Sequence, residues 1–145
     1  MSGTADVEKS PILDMMFDSG TLHLVRADVQ ARAIRAGFPD PRVEDMVLAV
    51  HELAANAVHH GAGAGRLRIW NVAGSLHAQV DDGALASGDP AAPAGHEDGA
   101  VGSWLATPGH GLWVVQQVAD QLQVMSSAQG TRATVTFSPS AEASR

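Results

Sequence analysis

Read for apolar and polar positions alone, the chain changes period several times. After Pro11 the segment ILDMMFDS alternates weakly, as a strand does. TLHLVRADVQARAIRAGF then places Leu22, Val25, Val29, Ala33 and Ile34 at helical spacing and predicts a helix closing at Gly37. Asp40-Pro41 reads as the next helix start, with an acceptor side chain at the cap and a proline where no backbone donor is needed. From there Val43, Met46, Val47, Val50, Leu53, Ala54, Ala57 and Val58 form a broad apolar face running to Gly61.

Beyond GAGAG the period shortens. Leu67 and Ile69, then Leu76, Ala78 and Val80, alternate with polar neighbours around NVAGS and predict an antiparallel hairpin. Residues 84–108 lose all periodicity and fill with Ala, Gly, Pro, Ser and Asp; a stretch of that length in a compact domain reads as a lid. GHGLWVVQQVADQL resumes helical spacing through Leu112, Val115, Val118, Ala119 and Leu122. QVMSS, a turn at Gln129-Gly130 and TRATVTF complete the pattern, with Thr131, Ala133, Val135 and Phe137 on one face of the last strand. The order βααββ, lid, αββ predicts an α+β, two-layer α/β sandwich: a mixed, mainly antiparallel sheet with helices on one face. The expected core spans residues 11–138 of a single domain, with frayed ends at 1–10 and 139–145.

Composition narrows the function classes. With 145 residues, 45% of them apolar, the chain can bury one core. It has no cysteine, which removes disulfides and thiolate metal sites, and no apolar run near the roughly 20 residues of a membrane span. MSGTADVEKSPI lacks the basic and apolar regions of a signal peptide, so the cytoplasm is the expected location. A net charge of −7 without a basic patch argues against direct nucleic-acid binding.

The chemistry concentrates in HELAANAVHHG, residues 51–61. A zinc protease motif would need His-Glu-x-x-His, but the fifth position is Ala55. Glu52 and Asn56 lie four residues apart, on one side of the predicted helix, and His59 and His60 follow on the next turn. A carboxylate and a carboxamide oxygen are hard donors that suit magnesium, which takes few protein ligands when phosphate oxygens complete its shell. Taken alone, the same spacing also describes a solvated helix face.

Three further motifs occur in order: VDDG at the end of a strand, GHGL opening a helix after the long loop, and QGT between the last strands. The set resembles the GHKL ATPase superfamily, whose Bergerat fold holds nucleotide between a helical layer and a mobile lid. Within it, E-L-x-x-N-A-x-x-H-G, G-x-G-L-x-V-V and A-D…G-T resemble the RsbW-like branch of anti-sigma factor serine-protein kinases. The resemblance extends from about residue 12 to 137. It implies ATP and Mg2+ as cofactors, Asn56 as magnesium ligand, and Glu52 as the catalytic group that orients or deprotonates the attacking hydroxyl. It further implies an adenine-contacting aspartate, for which Asp81 and Asp82 both stand before Gly83. Strand phase favours Asp82, since Leu76, Ala78 and Val80 face inward; counting back from Gly83 favours Asp81. Backbone amides at Gly109, His110, Gly111 and Leu112 would approach the phosphates, and Thr131 would lie near the adenine-binding aspartate.

The same resemblance implies an ATP-binding regulatory serine/threonine protein kinase that sequesters a sigma factor and phosphorylates an antagonist protein; whether it forms a homodimer stays open. Two alternatives stay open: a noncatalytic nucleotide-binding partner-switch module, and a detached histidine kinase catalytic domain. The sequence departs from the family pattern at Ala84, where many relatives carry glycine, and at His59, often Lys or Arg. Residues 84–108 contain no Lys or Arg, while Asp89, Glu97 and Asp98 add negative charge. Trp113 reads as core, Trp104 as an exposed lid contact, and Arg26, Arg32 and Arg35 as a solvated or docking face of the first helix.

Overall fold

Strand β1 (Leu13–Asp18) opens the computed structural model, which describes residues 10–87 and 111–140. Asp18 ends the strand by turning its carboxylate back: Oδ1 accepts from the Gly20 amide at 2.9 Å, and the Asp18 amide donates to Thr21 Oγ1 at 2.8 Å. This capping box starts helix α1 (Leu22–Arg35) through one 3₁₀ turn. The helix closes in a Schellman motif, where Gly37 takes a φ of +88° that a side chain would resist. Phe38 N donates to Ala33 O and Gly37 N to Ile34 O.

Helix α2 (Asp40–His60) begins one residue earlier than Asp40 as cap would require. Pro39 is the N-cap, and its carbonyl accepts from the amides of Arg42 and Val43; Asp40 is already helical and Pro41 follows inside the first turn. Asp40 therefore acts through its charge at the positive helix end rather than through a cap hydrogen bond. Val43, Met46, Ala49, Val50, Leu53, Ala54 and Ala57 form the buried face.

The next strands are β2 (Ala64–Val72) and β3 (Ser75–Asp82), joined by a two-residue turn with positive φ at Ala73 and Gly74. After a 3₁₀ turn at Gly83–Ser87, the described chain resumes at helix α3 (Gly111–Val118) and ends with β4 (Gln121–Ser127) and β5 (Gly130–Phe137). The sheet order is β1-β2-β3-β5-β4, and every pairing among the described strands is antiparallel, so the expected mixed character is absent there. Cross-strand register puts Ile69, Ala78 and Val135 side by side, and likewise Leu67, Val80 and Ala133. These residues are fully buried with Val25, Val29 and Ala33 of α1 and the α2 face in one core between the layers.

Three expected core or helix positions differ. Ile34 is 55% exposed, because Val25, Val29 and Ala33 already supply the α1 stripe. Trp113 is 62% exposed, because the short α3 turns Leu112 and Val115 into the core instead. Leu122 belongs to β4, not to the helix. The helix stops because Arg42 Nη1 donates to the Val118 carbonyl at 3.0 Å, and the Asp120 amide donates to Thr136 O at 3.0 Å, which starts strand pairing. Arg42 is itself buried, ion-paired to Asp120 and stacked 4.9 Å from the Phe137 ring. No described helix is long and apolar enough to cross a membrane.

Candidate nucleotide site

The end of α2, the end of β3 and the β4–β5 turn converge on a cavity of about 490 Å³. His60, Gly61 and Ala62 form one wall, Asp82, Gly83 and Ala84 a second, and Ser126 to Thr131 a third. Antiparallel pairing of β3 with β5 carries Thr131 next to Asp82 although 49 residues separate them: the Thr131 amide donates to Asp82 Oδ1 at 2.7 Å. Thr131 Oγ1 lies 3.2 Å from Ser126 Oγ, so two buried hydroxyls share a hydrogen bond at the cavity wall. The backbones also meet closely. A Cβ on Gly83, whose φ is +65°, would come within 2.6 Å of Gln129 O, and one on Gly130 would reach 2.8 Å from Asp82 Oδ1. Ala84 sits in the 3₁₀ turn and donates its amide to Gln129 O at 2.8 Å, a right-handed conformation that accepts a side chain where relatives carry glycine.

The two candidate aspartates part company. Asp82 is 3% exposed and lines the cavity. Asp81, fully buried, points through the opposite face of the sheet, where Arg132 Nε donates to Oδ1 at 2.7 Å and Arg68 Nη2 to Oδ2 at 2.9 Å. Gln79 Nε2 adds a 3.0 Å bond to Oδ2. The structure thus puts Asp81 outside the cavity, in an ion cluster that the sequence pattern did not suggest. Alternation alone puts Asp81 on the face opposite Leu76, Ala78 and Val80; its partners come from the strand register, which sets Arg68 opposite Gln79 and Arg132 opposite Asp81.

Along α2, Glu52, Asn56 and His60 follow one another at four-residue intervals, a polar stripe about 12 Å long that ends at the cavity. Neither Glu52 nor Asn56 lines the cavity itself. Glu52 is half-buried and Asn56 7% exposed, and the Asn56 amide nitrogen is buried with no hydrogen-bond partner. An unpaired buried amide costs about 1–3 kcal/mol, and since carboxamide oxygen and nitrogen are interchangeable by a flip, this group is suited to take up an external partner. Among the described residues no group of three or more His, Cys, Asp or Glu could hold a metal ion, so a cation here would rely on Asn56 and on ligands brought by a phosphate. His51 lies on another side of the helix, in a groove with His23 and Arg26 of α1, and His59 is exposed.

Gly111 opens α3 and Leu112 is buried behind it. Gly109, His110, Trp104 and the charged lid positions lie outside the described residues.

Residues 17–137 match the family model of the histidine kinase-like ATPase domain. The chain belongs to the histidine kinase-like ATPase family. Among solved structures, the crystal structure of the RsbU and RsbW domains of a Mycobacterium tuberculosis protein is similar, with a TM-score of 0.63 and 23% identity. The likeness covers 87% of this ATPase domain and 31% of that longer chain, and at this identity it speaks for the shared fold. No curated protein matches the chain by sequence. An ATPase domain implies ATP as ligand, and the α+β sandwich agrees with that family.

Proposed function

We propose that this ATPase domain binds ATP with magnesium and transfers the γ-phosphate to a serine or threonine hydroxyl of a partner protein, acting as a regulatory switch. The observation that carries the proposal is Asn56, a buried carboxamide left without a partner in line with the Asp82 cavity. Asp82, held by the Thr131 amide, accepts a hydrogen bond from the adenine amino group, and Thr131 and Ser126 supply hydroxyls beside it. Asn56 is the residue that would hold magnesium, which when bound neutralises phosphate charge. Glu52, one turn earlier, orients or deprotonates the acceptor hydroxyl. Backbone amides of Gly111 and Leu112, which open α3, would face the phosphates, together with those of Gly109 and His110.

The fold shared with an RsbW domain supports a partner-switch role, in which the domain sequesters a sigma factor until an antagonist protein, the phosphoacceptor, intervenes. A second reading, a noncatalytic nucleotide-binding module, is favoured by one feature: residues 84–108 carry no Lys or Arg to neutralise a triphosphate. Magnesium-dependent ATP binding and γ-phosphate transfer, compared between wild type and the Asn56→Ala and Glu52→Ala variants, separate the two. The kinase proposal expects Asn56→Ala to lose magnesium-dependent binding and Glu52→Ala to bind ATP yet transfer little phosphate. Wild-type protein that binds ATP and a partner but transfers no phosphate establishes the noncatalytic module instead.

A further inference from the structure

Gly61 closes the HELAANAVHHG stretch, and its helical position explains little about why a glycine stands there. Its φ is −112°, a value open to any residue, and its amide simply continues the ladder to Ala57 O. What distinguishes it is contact. A Cβ built on Gly61 would overlap Asp82 Oδ2, fall 2.9 Å from the Asp82 Cγ, and sit 2.8 Å from Ala57 O. Asp82 has little freedom to move away. Its Oδ1 is held by the Thr131 amide, and Gly130 packs beneath the same oxygen. The carboxylate is therefore gripped between a strand on one side and the bare Cα of Gly61 on the other, and both Gly61 and Asp82 are walls of the same cavity.

We infer that Gly61 is a positioning residue for nucleobase selection, acting through Asp82. This rests on the proposed adenine site. A carboxylate selects adenine because it accepts from an exocyclic amino group and repels the carbonyl that guanine presents at the same place. That selection requires the oxygen to stay where a base edge can reach it. A side chain at position 61 rotates the carboxylate, breaks its bond from Thr131, or fills the space that the base edge uses. Each outcome weakens adenine more than guanine.

The test measures ATP and GTP affinities by titration calorimetry with magnesium, on the full chain, for wild type, Gly61→Ala, Asp82→Ala and the double variant. Gly20→Ala serves as control, because its Cβ would make only an ordinary 3.5 Å contact with Asp18 Oδ1. The inference expects Gly61→Ala to lower ATP affinity by about tenfold or more, the scale of one lost hydrogen bond, and to erode the ATP-over-GTP ratio. In the Asp82→Ala background the same change leaves the ratio where it was. If Gly61→Ala alone does not fold, folding restored by Asp82→Ala supports the same conflict, and failure in both backgrounds overturns it. If Asp82→Ala abolishes the preference while folded Gly61→Ala keeps it, the inference fails and the adenine site stands. If Asp82→Ala keeps the preference, both fail.

Discussion

Asp81 and Asp82 are neighbours in the chain and opposites in the fold. One faces outward from the sheet into a pair of guanidinium groups; the other faces the helical layer and a cavity. Asp81 is 0% exposed and its oxygens are already occupied by Arg68, Arg132 and Gln79. Asp82 is nearly as buried, yet it borders open volume, and its Oδ1 accepts from the Thr131 amide. Burial alone does not separate an aspartate locked into an ion cluster from one that borders a cavity. The difference lies in which face of the sheet the strand alternation gives the carboxylate.

The sharpest way to break this contrast is to exchange the roles by mutation. Asp81→Ala leaves two buried arginines facing each other and is expected to destabilise the fold by about 3–5 kcal/mol, measured by denaturant unfolding. Asp82→Ala removes the charge-assisted hydrogen bond from Thr131 and should cost less, about 1.5–3 kcal/mol, while weakening ATP binding and erasing its preference over GTP. If Asp82→Ala proves the more destabilising of the two, the division into structural and ligand-binding faces is wrong. A milder probe of the outward face is Asp14, which forms a bidentate pair with Arg66 at 2.8 and 2.7 Å but is partly exposed. Asp14→Asn should cost no more than about 1 kcal/mol, because solvent screens the pair. Hydrogen bonding to Arg66 holds the Asp14 carboxyl below its ordinary range, so its contribution is present above pH 3.8 and fades as pH falls through the lower folded value.

His77 supplies the smallest and most specific effect on that face. Burial pushes its pKa below the ordinary 6.5, with Trp70 and Thr136 as cross-strand neighbours. The unfolded chain therefore binds this proton more readily, and its influence on stability is greatest below pH 6.5: stability falls as pH drops through that value and levels off below the folded pKa. His77→Gln should flatten this part of the stability profile. An unchanged slope in the variant would assign the pH dependence to another group.

The same contrast shows which features could be read in one dimension. The phase of β3 was legible: Leu76, Ala78 and Val80 set the inward face, and Asp82 follows them in the structure. The α2 stripe of Glu52, Asn56 and His60 was legible for the same reason, since four residues bring side chains onto one side. The partners of Asp81 were not, because Arg68 and Arg132 lie 13 and 51 residues away and only the strand register brings them together. Trp113 and Leu122 misled for a related cause. Helical spacing continues through Leu122, but Arg42 and Asp120, fixed by contacts across 76 and 78 residues, end the helix at Val118.

Local periods thus determined by themselves the element order, the inward faces and the placement of Glu52 and Asn56, because backbone geometry repeats every two or 3.6 residues whatever lies around it. The tertiary structure decided which charges gather into ion pairs, where α3 stops, and how closely residue 61 approaches Asp82. Each of these depends on an atom from a distant strand or helix arriving within hydrogen-bond or van der Waals distance, and no local period encodes that arrival.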